Sequence, residues 1–327
     1  MKVGLTYDLR DEYLAQGYGE EETAELDKPD TIDGIEKALR RLGFKTDRIG
    51  HVKSLMARVL KGDRWDLVFN IAEGIQGVTR ESQVPAVLEI YGIPYTFSDS
   101  LVLALALNKT LTKRVLQTAG VNTPAFVEVR TPADVDAVRL PFPLFAKPVA
   151  EGTGKGITNA SRIADRTQLR SVCRRLLRKF NQPVLVETYL PGDEYTVGIL
   201  GTGKDARVAG VMAVQYRGGT DAIYSYSTKK NYEDLVDYTL AKPRVAKACG
   251  DLALKAWNAL GCVDGGRVDI RYDNAGKPSF IEVNPLAGLN PVHSDLPILC
   301  RLNGLDFQGL IAAIMKSALK RHGLRAP

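Results

Sequence analysis

"AKPVAEGTGKGI", residues 146–157, is the stretch that decides between nucleotide-binding architectures. Lys147 ends an apolar strand, and Gly152, Gly154, Lys155 and Gly156 follow closely. The P-loop pattern needs a glycine, four free positions and then Gly-Lys-Ser/Thr. Here Lys155 is followed by Gly156, and Val149 stands where the first glycine belongs. The dinucleotide fingerprint G-x-G-x-x-G fails too, because the glycines are spaced by two and Ile157 occupies the third glycine position. What remains is a loop whose backbone amides can approach an anion closely, since no side chain intervenes. The following "ITNASRI" reads as strand, so the loop is expected to lie as a flap between two strands, over phosphates.

Upstream of the loop, strands alternate with helices. "KVGLTYD" suits a buried strand, and Ile32, Ile35, Leu39 and Leu42 have helical spacing that ends at Gly43, a C-cap. A strand near Lys45 to Ile49, a helix from Ser54 to Leu60, the strand "WDLVFN", a helix in "SQVPAVLEIYG" and a strand "IPYTF" follow. This order predicts an α/β domain with a parallel sheet covered on both faces, ending near residue 100. The second unit mixes helices with antiparallel strands: "NKTLTKRVLQTAG", a strand at Ala125 to Val129, "FPLFAKP", the glycine loop, a basic helix "RSVCRRLLRKF" and "PVLVETYL". The third runs from "GDEYTVGILG" through a Tyr/Ser/Lys-rich segment to a helix, a strand pair and a final helix.

Composition narrows the class. A chain of 327 residues with 45% hydrophobic content can fill more than one core. Its longest apolar run, Leu101 to Leu107, is far short of the roughly 20 residues that span a bilayer, and the N-terminus is charged, which points to a cytoplasmic protein without a membrane partner. Cys173, Cys249, Cys262 and Cys300 lie far apart, and with three histidines they suggest neither a zinc cluster nor a disulfide framework. Net charge is +6 with basic residues spread along the chain, so the basic helix reads as a solvated face and no nucleic acid is expected as partner.

Chemistry concentrates in "GRVDIRYDNAGKPSFIEVNP", where β-type residues flank the turn formers "DNAGKP". Alternation places Arg267, Asp269 and Arg271 on one face, and Phe280, Glu282 and Asn284 on one face of the partner strand. A symmetric hairpin sets Asp269 opposite Glu282. Two opposed carboxylates repel unless a cation lies between them, and Asp, Glu and the Asn carboxamide are hard oxygen ligands suited to Mg²⁺. Lys147 and Lys109 both adjoin apolar segments, where an unpaired ammonium is costly and phosphate oxygens would satisfy it. Glu187 and Glu194, across a Pro-Gly turn, are candidates to accept hydrogen bonds from a base amine and a ribose.

Taken in order, Lys109, Lys147, the glycine loop, "VETYLPGDEYTV", "GGRVDIRY" and "FIEVNPLAGLN" resemble the ATP-grasp superfamily, most closely the D-alanine:D-alanine ligases. The resemblance runs from about Asp66 to the C-terminus. It implies three domains, drawn at residues 1–104, 105–190 and 191–327, with ATP between the last two. It implies that Lys109, Lys147 and the loop residues Glu151, Gly152, Thr153 and Gly154 bind phosphates, that Glu187, Thr188, Tyr189 and Leu190 grip adenine, and that Glu194 binds the ribose. Asp269, Glu282 and Asn284 would hold Mg²⁺ or Mn²⁺, with Asn284 also near the nucleotide. Lys229 aligns with a γ-phosphate lysine and Arg267 with the arginine that stabilises the charged intermediate. Gly288 and Ser294 match substrate-contacting positions. The implied reaction joins a carboxylate to an amine through an acyl phosphate, on small-molecule amino acid substrates, and the implied assembly is a homodimer. Alternatives are a ligase of this type for other amino acids or a specialised metabolite, and an ATP-binding regulatory protein without turnover.

The resemblance breaks in the acceptor half. The family's N-terminal glutamate pattern is missing from "LTYDLRDEYLAQGYGEEETAELDKPD", and "IAEGIQGVTRES" puts Glu73 in the place of a family histidine and retains only Glu81. Glu73, Glu81, an acid among Glu20 to Glu22, or Asp295 are the candidates to meet an ammonium. Between the loop lysines, Lys147 is the stronger phosphate ligand, with Lys155 left between phosphate and solvent.

Overall fold

The computed structural model describes residues 1–217 and 236–327. The first unit is built on β1 (Lys2–Thr6), α1 (Arg10–Ala15), α2 (Pro29–Arg41), β2 (Lys45–Gly50), α3 (Val52–Leu60), β3 (Leu67–Asn70) and α4 (Gln83–Ile90). Its three strands are parallel in the order β2-β1-β3, and Leu67, Val68 and Phe69 are fully buried because helices cover both faces. Gly43 takes φ +88° just beyond α2, the left-handed turn expected of a C-terminal glycine. "IPYTF" is not a full strand. It makes one parallel bridge, Val68 to Tyr95, before Phe97 at φ +68° turns the chain away.

Two short helices follow, α5 (Ser100–Leu107) and α6 (Lys109–Thr118), each started by a side-chain cap: Asp99 Oδ1 accepts from Val102 N at 2.8 Å and Asn108 Oδ1 from Leu111 N at 3.0 Å. A boundary between residues 104 and 105 falls inside α5. Its Val102 and Ala106, with Leu116 of α6, pack in the core that holds Trp257 and Val268. The helix pair thus belongs with the C-terminal sheet in packing, although it precedes the central one in sequence.

The central sheet has β4 (Phe126–Val129), β5 (Leu144–Pro148), β6 (Arg162–Ile163) and, after α7 (Arg166–Phe180), β7 (Val184–Thr188), all antiparallel in the order β4-β7-β5-β6. α7 buries Leu169, Val172, Cys173 and Leu176 against this sheet and turns Arg174, Arg175, Arg178 and Lys179 to solvent. The glycine loop does connect two strands, but "ITNASRI" is strand only at Arg162–Ile163. Ser161 Oγ accepts from Thr158 N at 3.1 Å and Ser161 N donates to Thr158 O at 2.8 Å, so local side-chain bonds close a turn where a ladder was expected.

The C-terminal sheet comprises β8 (Glu194–Leu200), β9 (Arg207–Tyr216), β10 (Val236–Leu240), β11 (Gly265–Tyr272) and β12 (Pro278–Asn284), in the antiparallel order β10-β9-β8-β11-β12; α8 (Pro243–Leu260) leads into β11. The chain finishes in two helices, α9 (Asp295–Leu302) and α10 (Phe307–Arg321). α8 covers one face through Cys249, Ala253 and Trp257, while Leu310, Ile311 and Ile314 of α10 join Ile35 and Leu39 of α2 in one core. The first and third units are therefore welded by a shared apolar interior. No helix among the described residues is long and apolar enough to cross a membrane; α9 and α10 pass on composition as a pair but are bent by 109° and buried in this core.

Candidate active site

Three sheets meet around two adjoining cavities. The smaller, about 110 Å³, lies between the central and C-terminal sheets, and the larger, about 530 Å³, opens toward the first unit. They share Lys109, Gly152 and Glu282. Lys147, Glu151, Gly154, Glu187, Thr188, Tyr189, Leu190, Glu194 and Asp269 line the smaller one, with Phe145 and Ile281 adding apolar walls. Thr153, Arg267, Asn284, Gly288, Ser294, Asp295, Glu73 and Glu81 line the larger. Lys229 lies outside the described residues.

The hairpin has Asp269 paired with Glu282 and Arg267 with Asn284. The register then shifts between Asp269 and Ile270, which makes Ile281 an extra residue. This bulge corrects the simple alternation: Phe280 joins the core beside Ile270, while Glu282 and Asn284 face the cavities. Asp269 Oδ1 accepts from Thr196 Oγ1 at 3.0 Å, and its Oδ2 lies 2.5 Å from Arg267 Nη1 and 3.4 Å from Asn284 Nδ2. Arg267 also approaches Asp295 Oδ2 at 3.6 Å, and Tyr238 OH donates to Asp295 Oδ1 at 3.2 Å. Asp295 is thus engaged with Arg267, a constraint invisible in sequence. Ser294 stands at the N-cap position of α9, the first of two terminal helices, without a side-chain cap bond, and its Oγ instead accepts from Asn290 N at 2.9 Å.

The lysines find carboxylates. Lys147 Nζ lies 3.4 Å from Glu187 Oε1, and Lys113 Nζ lies 2.9 Å from Glu187 Oε2. Burial works to raise the Glu187 carboxyl, but the two ammoniums outweigh it and hold it below its ordinary value. Burial pushes Lys113 down to about 8, with Glu187 opposing. Lys147 is raised instead, since Glu187 and Glu282 overcome its desolvation. Glu187 therefore faces two buried cations, whereas the sequence reading had it offered to a base amine. Lys113, fully buried one turn after Lys109, was missed; its i+4 spacing from Lys109 was the available signal. Lys109 Nζ donates to Glu151 O at 2.5 Å and lies 3.6 Å from Glu282 Oε2. Glu194 accepts from Tyr216 OH at 2.8 Å and lies 3.7 Å from Arg271, whose guanidinium stacks 5.4 Å from the Tyr189 ring.

Of the candidate acids, Glu73, Glu81 and Asp295 line the larger cavity, whereas Glu21 and Glu22 do not. Glu21 pairs with Lys179 at 2.6 Å on the surface and Glu22 accepts from Gly19 N at 2.7 Å, while Glu25 and Asp27 line the cavity. Burial raises Glu73 well above its ordinary value, with Glu81, Glu25 and Asp27 adding repulsion. Burial likewise lifts Glu81 and Asp27, each to about 7. Lys155 is not solvated: its Nζ lies 2.6 Å from Glu151 Oε2 and 3.3 Å from Glu25 Oε2. The four cysteines are buried and free; burial pushes the Cys173 and Cys300 thiols up to about 12.

Asp269, Glu282 and Asn284 form a hard-oxygen donor set on adjacent strands, beside a cavity with room for a ligand's own oxygens. That chemistry fits Mg²⁺, which needs few protein ligands.

Fold and site together define an ATP-grasp ligase. Residues 115–316, more than half of the chain, match the family model described as "D-ala D-ala ligase C-terminus". Relatives include a D-alanine–D-alanine ligase of Bordetella avium, 32% identical over 90% of both chains, and one of Aquifex aeolicus, 31% identical over 87% of this chain and 93% of its own. Crystal structures of similar fold include D-alanine–D-alanine ligase from Bacillus anthracis complexed with ATP (TM-score 0.75, 20% identity, 99% of both chains) and VanG D-Ala:D-Ser ligase from Enterococcus faecalis (0.74, 21%, 97% of this chain and 99% of that one). The chain belongs to the D-alanine–D-alanine ligase family.

Proposed function

We propose that this ligase joins the carboxylate of one small amino acid to the amine of a second, with D-alanine the first substrate to try, and releases ADP and phosphate. The observation that carries this is the pair of cavities with a common wall of Lys109, Gly152 and Glu282, one slot-like between two sheets and one polar and larger. The nucleotide belongs in the smaller cavity. There Phe145, Tyr189, Leu190 and Ile281 offer apolar surface to a base, Thr188 lies beside them, and Glu194 suits a ribose. Lys109, Lys147 and the amides of Glu151, Gly152, Thr153 and Gly154 are the phosphate ligands.

Asp269, Glu282 and Asn284 would hold Mg²⁺ or Mn²⁺, which when bound offsets phosphate charge. Arg267, between Asp269 and Asp295, stands where it can stabilise an oxyanion formed in the larger cavity. Lys109 reaches across the shared wall and steadies the loop through Glu151 O. The loop itself excludes water from the activated acyl group. Gly288 and Ser294 border the acyl side, and Glu73 and Glu81 are the acids nearest to an incoming ammonium. Lys229 is kept as the γ-phosphate lysine on the sequence alignment alone. Of the proposed division at 104 and 190, the second cut lies between β7 and β8, and the first is better drawn ahead of α5, which packs with the C-terminal sheet. A homodimer has apolar surface available in Met56, Leu60, Ile90 and Leu101, all exposed on the neighbouring helices α3 to α5.

The test is a phosphate-release screen with MgATP and paired D- and L-amino acids, with mass spectrometry of products. D-alanyl-D-alanine is expected. No release from any pair, with Asp269→Ala and Glu282→Ala leaving MgATP binding unchanged, would sink the reading.

A further inference from the structure

Glu25 sits in an acid-rich segment with no apolar period, yet its side chain is only 8% exposed and it reaches the glycine loop across the seam between the first and central units. Its Oε1 accepts from Gly152 N at 2.6 Å. Its Oε2 lies 2.8 Å from Arg80 Nη2 and 3.3 Å from Lys155 Nζ. The two cations are tied to the same loop: Arg80 Nη1 donates to Ala150 O at 3.0 Å, and Lys155 lies 2.6 Å from Glu151 Oε2. Behind them Gln182 fixes Glu151 Oε1 and Ala150 N, each at 2.7 Å. One carboxylate thus gathers two buried cations and an amide hydrogen, and residues 150, 151, 152 and 155 are all held through it or its partners.

Burial decides the importance of this cluster. Exposed pairs of this kind contribute little, but the side chains of Glu25, Arg80 and Lys155 are all below a tenth exposed, so water cannot replace a lost partner. Gly152 is also shaped for the contact, because a Cβ there would stand 2.5 Å from Glu25 Oε1. Glu25 borders the larger cavity, Lys155 the smaller, and Gly152 both. The cluster therefore lies where the loop must stay seated for the two compartments to be closed from solvent.

We propose that Glu25 is a positioning residue for the ligation, a latch by which the first unit holds the glycine loop shut over the nucleotide through Gly152, Lys155 and Arg80. Its carboxylate is engaged by Gly152, Lys155 and Arg80. The consequence for catalysis rests on the ligase reading above; the latch itself does not.

Hydrogen exchange on the full chain without ligand tests the latch directly. Glu25→Gln keeps the shape and removes the charge, and Gly152→Ala displaces the carboxylate while leaving every charge in place. Each is expected to speed exchange in residues 149–158 by roughly tenfold or more, the loss of one or two charge-assisted hydrogen bonds, and to leave the β11–β12 hairpin unchanged. Calorimetric binding supplies a readout that a merely structural role would not move: Glu25→Gln and Lys155→Met each weaken MgATP while adenosine affinity holds, and the double variant is no worse than either. Unchanged exchange at 149–158 in both Glu25→Gln and Gly152→Ala, or equal loss for MgATP and adenosine, overturns the proposal. Should Glu25→Gln fail to fold, Gly152→Ala and Lys155→Met decide the matter. A wild-type protein that binds no MgATP would sink the ligase reading, and exchange alone would then decide the latch.

Discussion

Replacing Glu187 by glutamine removes one charge from a site where three are buried together. Glu187 is 3% exposed, with Lys113 Nζ at 2.9 Å and Lys147 Nζ at 3.4 Å. Breaking a buried ion pair by deleting one partner costs roughly 3–5 kcal/mol. Here the cost is moderated, because Lys113 already stands at about 8, down from 10.5, and can release its proton. In Glu187→Gln its folded value falls further, since the carboxylate that opposed desolvation is gone. The folded variant then sheds a proton below pH 8 where the wild type keeps it, while both unfolded chains keep theirs. Stability of the variant therefore rises faster with pH in that window, and its deficit shrinks. We expect a loss of about 3 kcal/mol at pH 7, smaller by about 1 kcal/mol at pH 9, the remainder being the pairing that Lys147 also loses. Urea unfolding at both pH values, with slopes checked for equality, measures this. A deficit that grows with pH, or one below about 0.5 kcal/mol at both, would refute the electrostatic argument.

Three further outcomes are expected. Gly266→Ala places a Cβ 2.5 Å from Asn284 O and 2.8 Å from the Trp257 ring, so it should lower stability by about 3 kcal/mol in thermal unfolding and weaken metal-dependent turnover through the displaced Asn284 strand. Arg267→Lys should cut kcat on the order of a hundredfold without changing MgATP affinity, because a point ammonium replaces a guanidinium that spans Asp269 and Asp295; equal kcat would remove Arg267 from the chemistry. Glu81 and Asp27, each raised to about 7, gain their charge only as pH rises through that value, so KM for the amine should fall across pH 7 while KM for MgATP stays flat. Glu81→Gln should flatten that amine profile, and an unaltered profile would take Glu81 out of amine binding.

Local signals carried most of the architecture. Period and turn chemistry were enough to place the parallel first sheet, the helix that stops at Gly43 and the hairpin that opposes Asp269 to Glu282, because each is decided by neighbours in sequence. Features set by tertiary context were not legible. Nothing local announces the extra residue Ile281, yet it sends Phe280 to the core and Glu282 to the cavities. "IPYTF" and "ITNASRI" have strand composition, but a left-handed Phe97 and a Thr158–Ser161 turn end their pairing. In the site, residues on strands or helix starts could be picked out by their cost if unpaired. Arg80 and Glu25 could not, since their partners lie far along the chain, 127 residues in the case of Glu25 and Gly152. Lys155 stayed open between phosphate and solvent for the same reason, because Glu25 and Glu151, which surround it, come from the fold.

A substrate carboxylate is expected to be activated by transfer of the γ-phosphoryl group before an amine displaces phosphate. Oxygen tracing tests it most directly. With MgATP and D-alanine labelled with ¹⁸O in its carboxylate, the attacking carboxylate oxygen stays on phosphorus when the carbon–oxygen bond breaks, so each released phosphate should carry one label and the amide product should form in equal amount. Phosphate that instead takes its new oxygen from labelled water, with unlabelled D-alanine present and turning over, would contradict the account.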